Sequence, residues 1–431
     1  MLKKYLLLFL PILAFGQSYY YPPLNSDEWA RTDPSELGWC AGRVGSLLNF
    51  VESADTKAFI ILKDGKIVME RYFGAFQQDS IWYWASAGKS LMGALVGLAQ
   101  QDGDLSLTEP ASKYLGEGWT NAPPEKEALI TIRHQITMTT GLDDRGSNAL
   151  DNCLDPNCLN YLADAGTRWA YYNAPYRLVQ DVLEQATGRN KNIYTRQRLG
   201  DRIGMNGFWF DYVYYSTARD MARFGHLILS RGVWNGDTIV RDQNYFNAML
   251  SPSQELNPSY GYLWWLNGQS AFMLPGLQIV FQRSMLPEAP PDLAAALGKN
   301  DQKIYVVPSR GLVVVRQGNA AGNTSPAALS SFDNQLWEQI GRLDCGVTSS
   351  VEIHPPAISV YPVPAGNFLS IESDRPVRQL QLLDRFGRLC RFHRPDLGTS
   401  TELALPSLPS GLYFIRLEIG GKWYVKRIVL K

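Results

Sequence analysis

The chain has 431 residues, of which 45% are apolar and 19% are charged, a composition typical of soluble globular proteins. Its 41 basic residues balance its 41 acidic residues, so composition gives no electrostatic case for binding nucleic acid or an anionic membrane. The length allows roughly two to four domains.

The first 16 residues are typical of a secretory signal peptide. Two lysines precede an apolar run from Tyr5 to Phe15, and Ala14 and Gly16 supply the small residues that a cleavage site needs. The run is too short for a permanent membrane-spanning helix, and no later run approaches that length. We therefore predict an exported protein without a transmembrane anchor, which passes through the periplasm to the cell surface or the medium.

Export would place the five cysteines in an oxidising compartment, where disulfides persist. Cys153 and Cys158 lie in a stretch of loop composition, and we predict a local disulfide between them. Cys40 and Cys345 could close the first domain covalently, which would leave Cys390 as a buried free thiol; the alternative is that all five are unpaired and buried. No Cys-x-x-Cys or His-Glu-x-x-His occurs, so the sequence predicts no metal site and no cofactor.

Apolar periodicity and turn residues predict the elements up to residue 345. This order of a hairpin, a long helical middle, strands and a last helix favours an α+β fold with an antiparallel sheet. The predicted elements are a helix at 43–53, a hairpin of strands 58–62 and 66–72 around Asp64-Gly65, helices at 91–101, 131–141, 176–187 and 216–230, strands at 303–308 and 312–316, and a helix at 326–342.

The composition changes after Cys345. Residues 346–356 contain Pro355-Pro356 and are predicted to be a linker. From residue 357 onward, short strand-like runs alternate with Gly, Pro and Asp turns, which predicts a small β-sandwich of about 75 residues.

Ser86 and Lys89 are three residues apart at the start of a predicted helix, so they lie on one helix face. A serine and a lysine in this arrangement can form a nucleophile and its base. Chance alone should give about one or two such pairs in a chain of this length, so a capped helix with an exposed lysine is the alternative.

Further motifs follow this pair in a fixed order, and together they resemble the serine β-lactamase/penicillin-binding-protein superfamily. The branch is that of class C-like esterases and 6-aminohexanoate-dimer hydrolases. The resemblance covers residues 30–342 and implies a β-lactamase/transpeptidase-like antiparallel sheet with flanking helices and a helical subdomain. The matching stretches are Ser86-Ala-Gly-Lys89, Ile130-Thr-Ile-Arg-His134 with Thr139-Thr-Gly-Leu142, Tyr171-Tyr-Asn173, Ser216-Thr-Ala-Arg-Asp220 and Ala296-Leu-Gly298.

The resemblance implies a role for each matching residue. Ser86 would be the nucleophile that becomes acylated. Lys89 would take its proton, for which the lysine pKa must fall by roughly three, at about 4–5 kcal/mol. Tyr171 would share that proton and deliver it to the leaving group.

Three residues would bind or orient the substrate by the same resemblance. Asn173 would orient Lys89 or the substrate, although it could simply cap the following helix. The backbone N–H groups of Ser86 and of Lys299, on the edge strand after Gly298, would form the oxyanion hole, although Gly298 could be an ordinary strand glycine. His134 and His226 are expected to be packed polar residues.

One position departs from the superfamily pattern. β-lactamases and penicillin-binding proteins place a lysine where this chain has Ala296, and that lysine holds the substrate carboxylate. We therefore predict a serine hydrolase that forms an acyl-enzyme with an ester or a small amide. The alternatives are a β-lactamase or DD-peptidase and a catalytically inactive binding homologue. Five tryptophans could line an apolar pocket or belong to the core: Trp82, Trp84, Trp209, Trp264 and Trp265.

Residues 357–431 resemble the type A sorting domain of the type IX secretion system. The matching residues are Tyr361-Pro-Val-Pro364, Gly411-Leu-Tyr413 and the final Lys426–Lys431, with Val363 where that family commonly has asparagine. The resemblance implies that this domain binds the secretion machinery and is removed at the outer membrane. A carbohydrate-binding or adhesion sandwich is the alternative.

Overall fold

The computed structural model describes residues 19–145, 152–321, 329–345, 358–366, 368–384, 388–393, 398–405, 408–419 and 422–430. The chain divides into two compact units at the boundary between Cys345 and Gly346. The predicted signal peptide and linker lie outside the described residues. No helix in the described part is long and apolar enough to cross a membrane.

The first unit is built from alternating groups of helices and strands. Short 3₁₀ turns lie at Pro34–Leu37, Ala85–Ala87, Pro156–Cys158, Lys299–Asp301 and Pro308–Arg310, and a π-helical turn at Arg196–Gly200. The helices and strands in chain order are α1 (Ala41–Ser53), β1 (Thr56–Lys63), β2 (Lys66–Tyr72), β3 (Trp82–Tyr83), α2 (Gly88–Asp102), α3 (Ser112–Leu115), α4 (Pro124–Glu127), α5 (Ile132–Ile136), α6 (Asn173–Thr187), α7 (Lys191–Thr195), α8 (Asp201–Ile203), β4 (Gly207–Phe210), β5 (Val213–Ser216), α9 (Ala218–Leu229), β6 (Val233–Trp234), β7 (Asp237–Thr238), α10 (Gln243–Met249), β8 (Trp265–Leu266), β9 (Ala294–Gly298), β10 (Gln302–Val307), β11 (Leu312–Gly318) and α11 (Ser331–Gly341).

The main sheet of this unit is antiparallel, with strand order β2-β1-β11-β10-β9-β8. Its central strands are buried on both faces because helices cover both sides. On one side, Gly225 of α9 packs so closely on Val313 that a Cβ at this position would collide with that side chain. On the other side, Phe50 of α1 stacks on Phe332 of α11. The predicted α+β fold with helices flanking an antiparallel sheet is confirmed.

A second, smaller core forms the helical subdomain. It collects apolar residues that come from the segment between α2 and α6 and from α6 itself. Its buried members are Ala111, Trp119, Ile130, Leu142, Leu159, Tyr172, Ala174 and Leu178. Helix α6 belongs to both cores, because Val179, Val182 and Leu183 face the main one.

Most predicted turns and caps occur where the sequence placed them, and two do not. Asp64 and Gly65 both have positive φ (50° and 86°), as a two-residue hairpin turn requires. Thr131 caps α5 as predicted, but this helix ends at Ile136 and Gly141 is not its stop. Gly141 instead has φ 77° in a close approach where a Cβ would collide with the Ala163 carbonyl. The last helix begins at Ser331, with Ser330 as its cap, so residues 329–330 of the predicted helix are not helical; its predicted start at residue 326 lies outside the described residues.

The cysteine predictions are confirmed for both pairs and wrong for the fifth residue. Disulfides join Cys40 to Cys345 and Cys153 to Cys158. Cys390 is free, but it is exposed rather than buried. It lies on an outer strand of the second unit, and an edge strand does not have a neighbour on both sides to cover it.

The second unit has two antiparallel sheets around one apolar core, which makes it a β-sandwich as predicted. One sheet has the order β12-β13-β16 and the other β15-β14-β17-β18. Leu369 and Ile371 from the first sheet share the core with Leu380, Ile415 and Ile428 from the second. The strands are β12 (Ile358–Tyr361), β13 (Phe368–Ser373), β14 (Val377–Asp384), β15 (Leu389–His393), β16 (Ser400–Ala404), β17 (Gly411–Ile419) and β18 (Lys422–Leu430).

Candidate active site

Ser86 lies in the 3₁₀ turn between β3 and α2, and buried contacts fix this turn. The Trp84 ring is fully buried and its Nε1 donates a hydrogen bond to Ser216 Oγ at 2.8 Å. Ala85 has φ 48°, a left-handed conformation that costs a non-glycine residue about 1 kcal/mol or more. Such strain persists only where the surroundings hold it, and it concentrates at functional sites.

Lys89 lies on the first turn of α2, and its ammonium group is surrounded by neutral groups. Nζ donates hydrogen bonds to Ser86 Oγ at 3.1 Å and to Asn173 Oδ1 at 3.0 Å. It also lies 4.1 Å from the centre of the Tyr176 ring and 5.2 Å from that of Tyr171. The structure thus brings together the four residues that the sequence proposed as nucleophile, base, proton relay and orienting group: Ser86, Lys89, Tyr171 and Asn173.

This environment changes the ionisation of the lysine. Burial, with a smaller contribution from the positive charge of Arg177, lowers the pKa of Lys89 to about 7. Burial acts in this direction because it disfavours the charged form of the amine. Near neutral pH a large fraction of the Lys89 side chains is therefore unprotonated, as a general base must be.

Tyr171 also adjoins the nucleophile. Its hydroxyl is hydrogen-bonded to Ser86, and its burial raises the pKa of the phenol well above its ordinary value. Its ring stacks on Trp265 at 5.8 Å between centroids and packs edge-on against Tyr260. Tyr171 is therefore a fixed, neutral phenol at neutral pH, able to donate or relay a proton but not to act as a phenolate.

Asn173 is the first residue of α6, and it does not cap that helix. The cap position is Tyr172, which makes no side-chain capping bond. The Asn173 amide oxygen instead accepts the hydrogen bond from Lys89. The capping role that the sequence left open for Asn173 is therefore wrong.

Gly298 ends β9 directly against the turn that carries the nucleophile. A Cβ at this position would collide with the Trp84 carbonyl and would lie 3.0 Å from the Ala87 backbone nitrogen. Only glycine permits this approach, so the residue is more than an ordinary strand glycine. Lys299 is exposed and begins a 3₁₀ turn; it does not continue an edge strand as expected, since β9 ends at Gly298 and β8 forms the sheet edge.

Buried polar side chains hold this 3₁₀ turn, and sequence reasoning missed them. Asn300 and Asp301 both have positive φ, 59° and 57°. Gln302 Nε2 donates to the Asn300 carbonyl at 2.8 Å, and Arg316 Nη1 donates to the Asp301 carbonyl at 2.9 Å. Arg316 is fully buried. A charged residue inside the apolar strand Leu312–Gly318 was the available signal.

The two histidines with helical contexts have other partners. The His134 ring accepts the Thr131 backbone N–H in the α5 cap. His226 Nε2 pairs with the Tyr20 carbonyl at 2.8 Å, and burial lowers the pKa of His226 to about 4. Within the described residues, no hydrogen bond links either ring to Ser86, and no group of three or more His, Cys, Asp or Glu could hold a metal ion.

The five tryptophans divide between the core and the site. Trp84, Trp209 and Trp264 are buried in the core, and Trp264 stacks on Phe224. Trp265 is buried behind Tyr171, and only Trp82 is half-buried. Of the five, only Trp265 stacks on a residue of the candidate site, Tyr171; the buried others belong to the core.

Comparison with known proteins identifies the family of each unit. The model of the Beta-lactamase family matches residues 51–331, and the model of the secretion system C-terminal sorting domain matches residues 359–431. The chain therefore belongs to the Beta-lactamase family, a superfamily of serine hydrolases, and carries a type IX sorting domain. That domain marks it as a secreted or cell-surface protein.

Individual relatives are distant. The chain is 25% identical over 324 residues to an uncharacterized protein of Alkalihalophilus pseudofirmus, covering 63% of this chain and 86% of that one. It is 24% identical over 297 residues to the 6-aminohexanoate-dimer hydrolase of Paenarthrobacter ureafaciens, covering 58% and 76%. A Bacillus anthracis structure, provisionally named as the same hydrolase, superposes with a TM-score of 0.56 at 19% identity, covering 74% and 89%. The structural likeness concerns the fold alone.

Proposed function

We propose that the protein hydrolyses an ester or a small amide through an acyl-enzyme on Ser86, with Lys89 and Tyr171 as the acid/base pair. The observation that carries this proposal is Lys89: a buried amine 3.1 Å from a serine hydroxyl, with a pKa lowered to about 7. Burying a lysine without a counter-charge is destabilising, and a catalytic role accounts for that cost.

In the acylation step, neutral Lys89 removes the proton from Ser86 Oγ as this oxygen attacks the carbonyl carbon. The negative charge that develops on the carbonyl oxygen is stabilised by the backbone N–H groups of Ser86 and Lys299. The Tyr171 hydroxyl gives its proton to the leaving alcohol or amine and regains one from protonated Lys89. The leaving group departs neutral and Ser86 keeps the acyl group.

In the deacylation step, a water molecule takes the place of the leaving group. The same two side chains accept its proton as the water oxygen attacks the acyl carbon, and Ser86 regains a proton when the acid departs. Ser86, Lys89 and Tyr171 end the cycle in the protonation states in which they began. The same pair, Lys89 and Tyr171, therefore serves both acylation and deacylation.

Ala296 supports an ester or small amide over a β-lactam or a peptidoglycan peptide. The side chain is fully buried in β9 and pairs with Ile304 on β10, so it offers no cation to a substrate carboxylate. Lys299 is three residues further on and exposed to solvent. A substrate whose acid part carries no required charge fits this arrangement.

Intact-mass measurement after incubation with an activated alkyl phosphonate, and separately with penicillin, tests the proposal. We expect a phosphonate adduct that is absent from Ser86→Ala, and hydrolysis of p-nitrophenyl esters or anilides faster than of nitrocefin or D-Ala-D-Ala peptides. A stable penicilloyl adduct or rapid penicillin turnover would instead indicate a β-lactamase or DD-peptidase. Ala296→Lys should move activity toward these carboxylate substrates. Labelling by neither reagent would identify an inactive homologue.

A further inference from the structure

The small sheet beside the nucleophile has an aromatic outer face. In its order β3-β5-β4, Tyr83 pairs with Tyr215 and Tyr215 pairs with Phe208, so these three side chains form one row across the strands. The Phe208 and Tyr215 rings stack with 5.6 Å between centroids and 8° between planes. Phe210 continues the face and contacts Tyr215 edge-on.

This outer face contributes little to the core. Side chains alternate along a strand, and the neighbouring positions Trp209 and Tyr214 are the ones that point inward and are buried. On the outer face Phe208 is 44% exposed, Phe210 66% and Ile81, just before β3, 54%. Large apolar side chains that are exposed next to one another on a soluble protein mark a binding surface.

The row begins at the catalytic centre. Tyr83 lies three residues before Ser86, and its hydroxyl accepts a hydrogen bond from Asn300 Nδ2 at 2.8 Å. Asn300 belongs to the 3₁₀ turn after Gly298, the glycine that packs against the turn of the nucleophile. The aromatic row is therefore continuous with the two turns that supply the proposed oxyanion hole.

A cavity adjoins the same face. It has a volume of about 570 Å³ and is lined by Ile81 and Phe208 together with polar residues that include Asn206, Thr217 and Arg219. This volume is within the range that small-molecule sites occupy. An elongated ligand that starts at Ser86 would thus meet an aromatic surface first and a partly polar cavity next.

We propose that this face, formed by Tyr83, Tyr215, Phe208 and Phe210, binds an extended alkyl or aryl part of the ester or amide that is cleaved at Ser86. The proposal rests on the proposed function, since it names the substrate class of the same site. Neither the acyl part nor the leaving group is singled out by the geometry, so both are tested. We expect the face to raise kcat/KM for long-chain over short-chain substrates by about tenfold or more.

The kinetic test uses the full chain and two series of substrates. One series varies the acyl chain of p-nitrophenyl esters from acetyl to octanoyl, and the other varies the alcohol of acetate esters from ethyl to octyl or naphthyl. We expect Phe208→Ser to lower the ratio of kcat/KM for the long members to kcat/KM for the short members of one series at least fivefold. Leu129→Ser, at an apolar side chain that is 57% exposed elsewhere, is the matched control.

Each series identifies a different occupant. Loss of preference in the acyl series assigns the face to the acid part, and loss in the alcohol series assigns it to the leaving group. Unchanged preference in both series overturns the proposal. A change in sedimentation behaviour on Phe208→Ser without a change in preference would assign the face to contact between copies of the chain, and would also overturn it. Thermal unfolding of each variant shows whether it is folded.

A binding measurement separates this proposal from the proposed function. In the Ser86→Ala background, octanamide and N-octylacetamide cannot be turned over, and calorimetry should give a dissociation constant that rises at least fivefold on Phe208→Ser. If Ser86 is never labelled by the phosphonate but this binding depends on Phe208, the hydrolase proposal fails and the binding face remains. If Ser86 is labelled and neither binding nor preference depends on Phe208, the face is wrong and the hydrolase proposal remains.

Discussion

The first unit buries two lysines in opposite ways. The hydrogen-bond partners of Lys89, Ser86 and Asn173, are neutral, and the positive charge of Arg177 further lowers its pKa. Lys303, on the central strand β10, forms ion pairs with Asp333 at 2.8 Å and Asp301 at 3.1 Å. The same type of side chain is thus the proposed base in one place and a structural ion-pair partner in the other, and the difference lies in the partners.

The carboxylates around Lys303 show the other half of this contrast. Burial by itself raises the pKa of Asp301, but the charge of Lys303, with hydrogen bonds from Ala321 and Ser330, outweighs it and holds the pKa below its ordinary value. Tyr305 also donates to Asp333 at 2.6 Å. Lys303 therefore lies between two carboxylates and links β10 to α11, whereas Lys89 has only neutral hydrogen-bond partners.

Lys89→Met gives the largest expected effect, because it removes the amine that is proposed to act as the base. Methionine fills the space without an amine, so we expect kcat/KM for a p-nitrophenyl ester to fall roughly 10²–10⁴-fold. Stability should be equal to or higher than that of the parent, most clearly near pH 6. Folding lowers the pKa of Lys89, so the unfolded chain binds the proton more strongly from about pH 7 up to the ordinary lysine value. The loss of folding stability caused by burying protonated Lys89 is therefore largest below pH 7 and becomes smaller as the pH rises.

Thermal unfolding of the Lys89→Met variant at pH 6 and pH 9, next to the parent, measures this difference. The gain in stability should be smaller at pH 9. An active variant would contradict the role of Lys89 as base, and a strongly destabilised one would show that its amine is structural.

Lys303→Met should have the opposite effects to Lys89→Met: stability should fall, while activity per folded molecule is kept. It leaves Asp301 and Asp333 buried without their cation, which costs about 3–5 kcal/mol in the free energy of unfolding. Denaturant unfolding, with activity measured per folded molecule, checks this expectation. A variant as stable as the parent would mean that the buried pairs only offset their own desolvation.

Asn173→Asp would give Lys89 a carboxylate partner, as Lys303 has. A carboxylate at the Asn173 oxygen, 3.0 Å from Nζ, favours the protonated amine and should raise the pKa of Lys89 by about one to two. At pH 7 we expect a loss of kcat/KM of about ten- to a hundredfold that is partly restored at pH 9. Asn173→Ala is the control: it should lower activity without moving the pH midpoint upward. The same midpoint in both variants would argue against a charge effect.

The smallest expected effect is the pH dependence of the unmutated protein. Because Lys89 must be neutral to act, kcat/KM should rise with pH with a midpoint near 7 and differ about tenfold between pH 6 and pH 8. The raised pKa of Tyr171 predicts no second limb from this phenol in the same range. A profile that falls with pH through this range would contradict the assignment of the base.

The sequence predicted the residues of the candidate site better than the buried residues that hold the surrounding turns and strands in place. The spacing of Ser86 and Lys89 and the ordered motifs after them were enough to select residues that the fold brings together. Arg316 and Lys303 were not found, because a charged residue within an apolar strand does not reveal which distant carbonyls or carboxylates it meets. The exposure of Cys390 also depends on strand order, which local composition does not encode. Gly298 could be named, but its need for glycine appears only when β9 meets the nucleophile turn.

The disulfide between Cys40 and Cys345 has a consequence for the timing of maturation. It spans 305 residues, so it cannot form until nearly the whole first unit has been made. Disulfides do not persist in the reducing cytoplasm, and this protein carries a sorting domain for secretion. The chain therefore leaves the cytoplasm without its longest crosslink, in a form that unfolds more readily for transport. The protein reaches its final stability only outside, after Cys345 has followed Cys40 across the membrane.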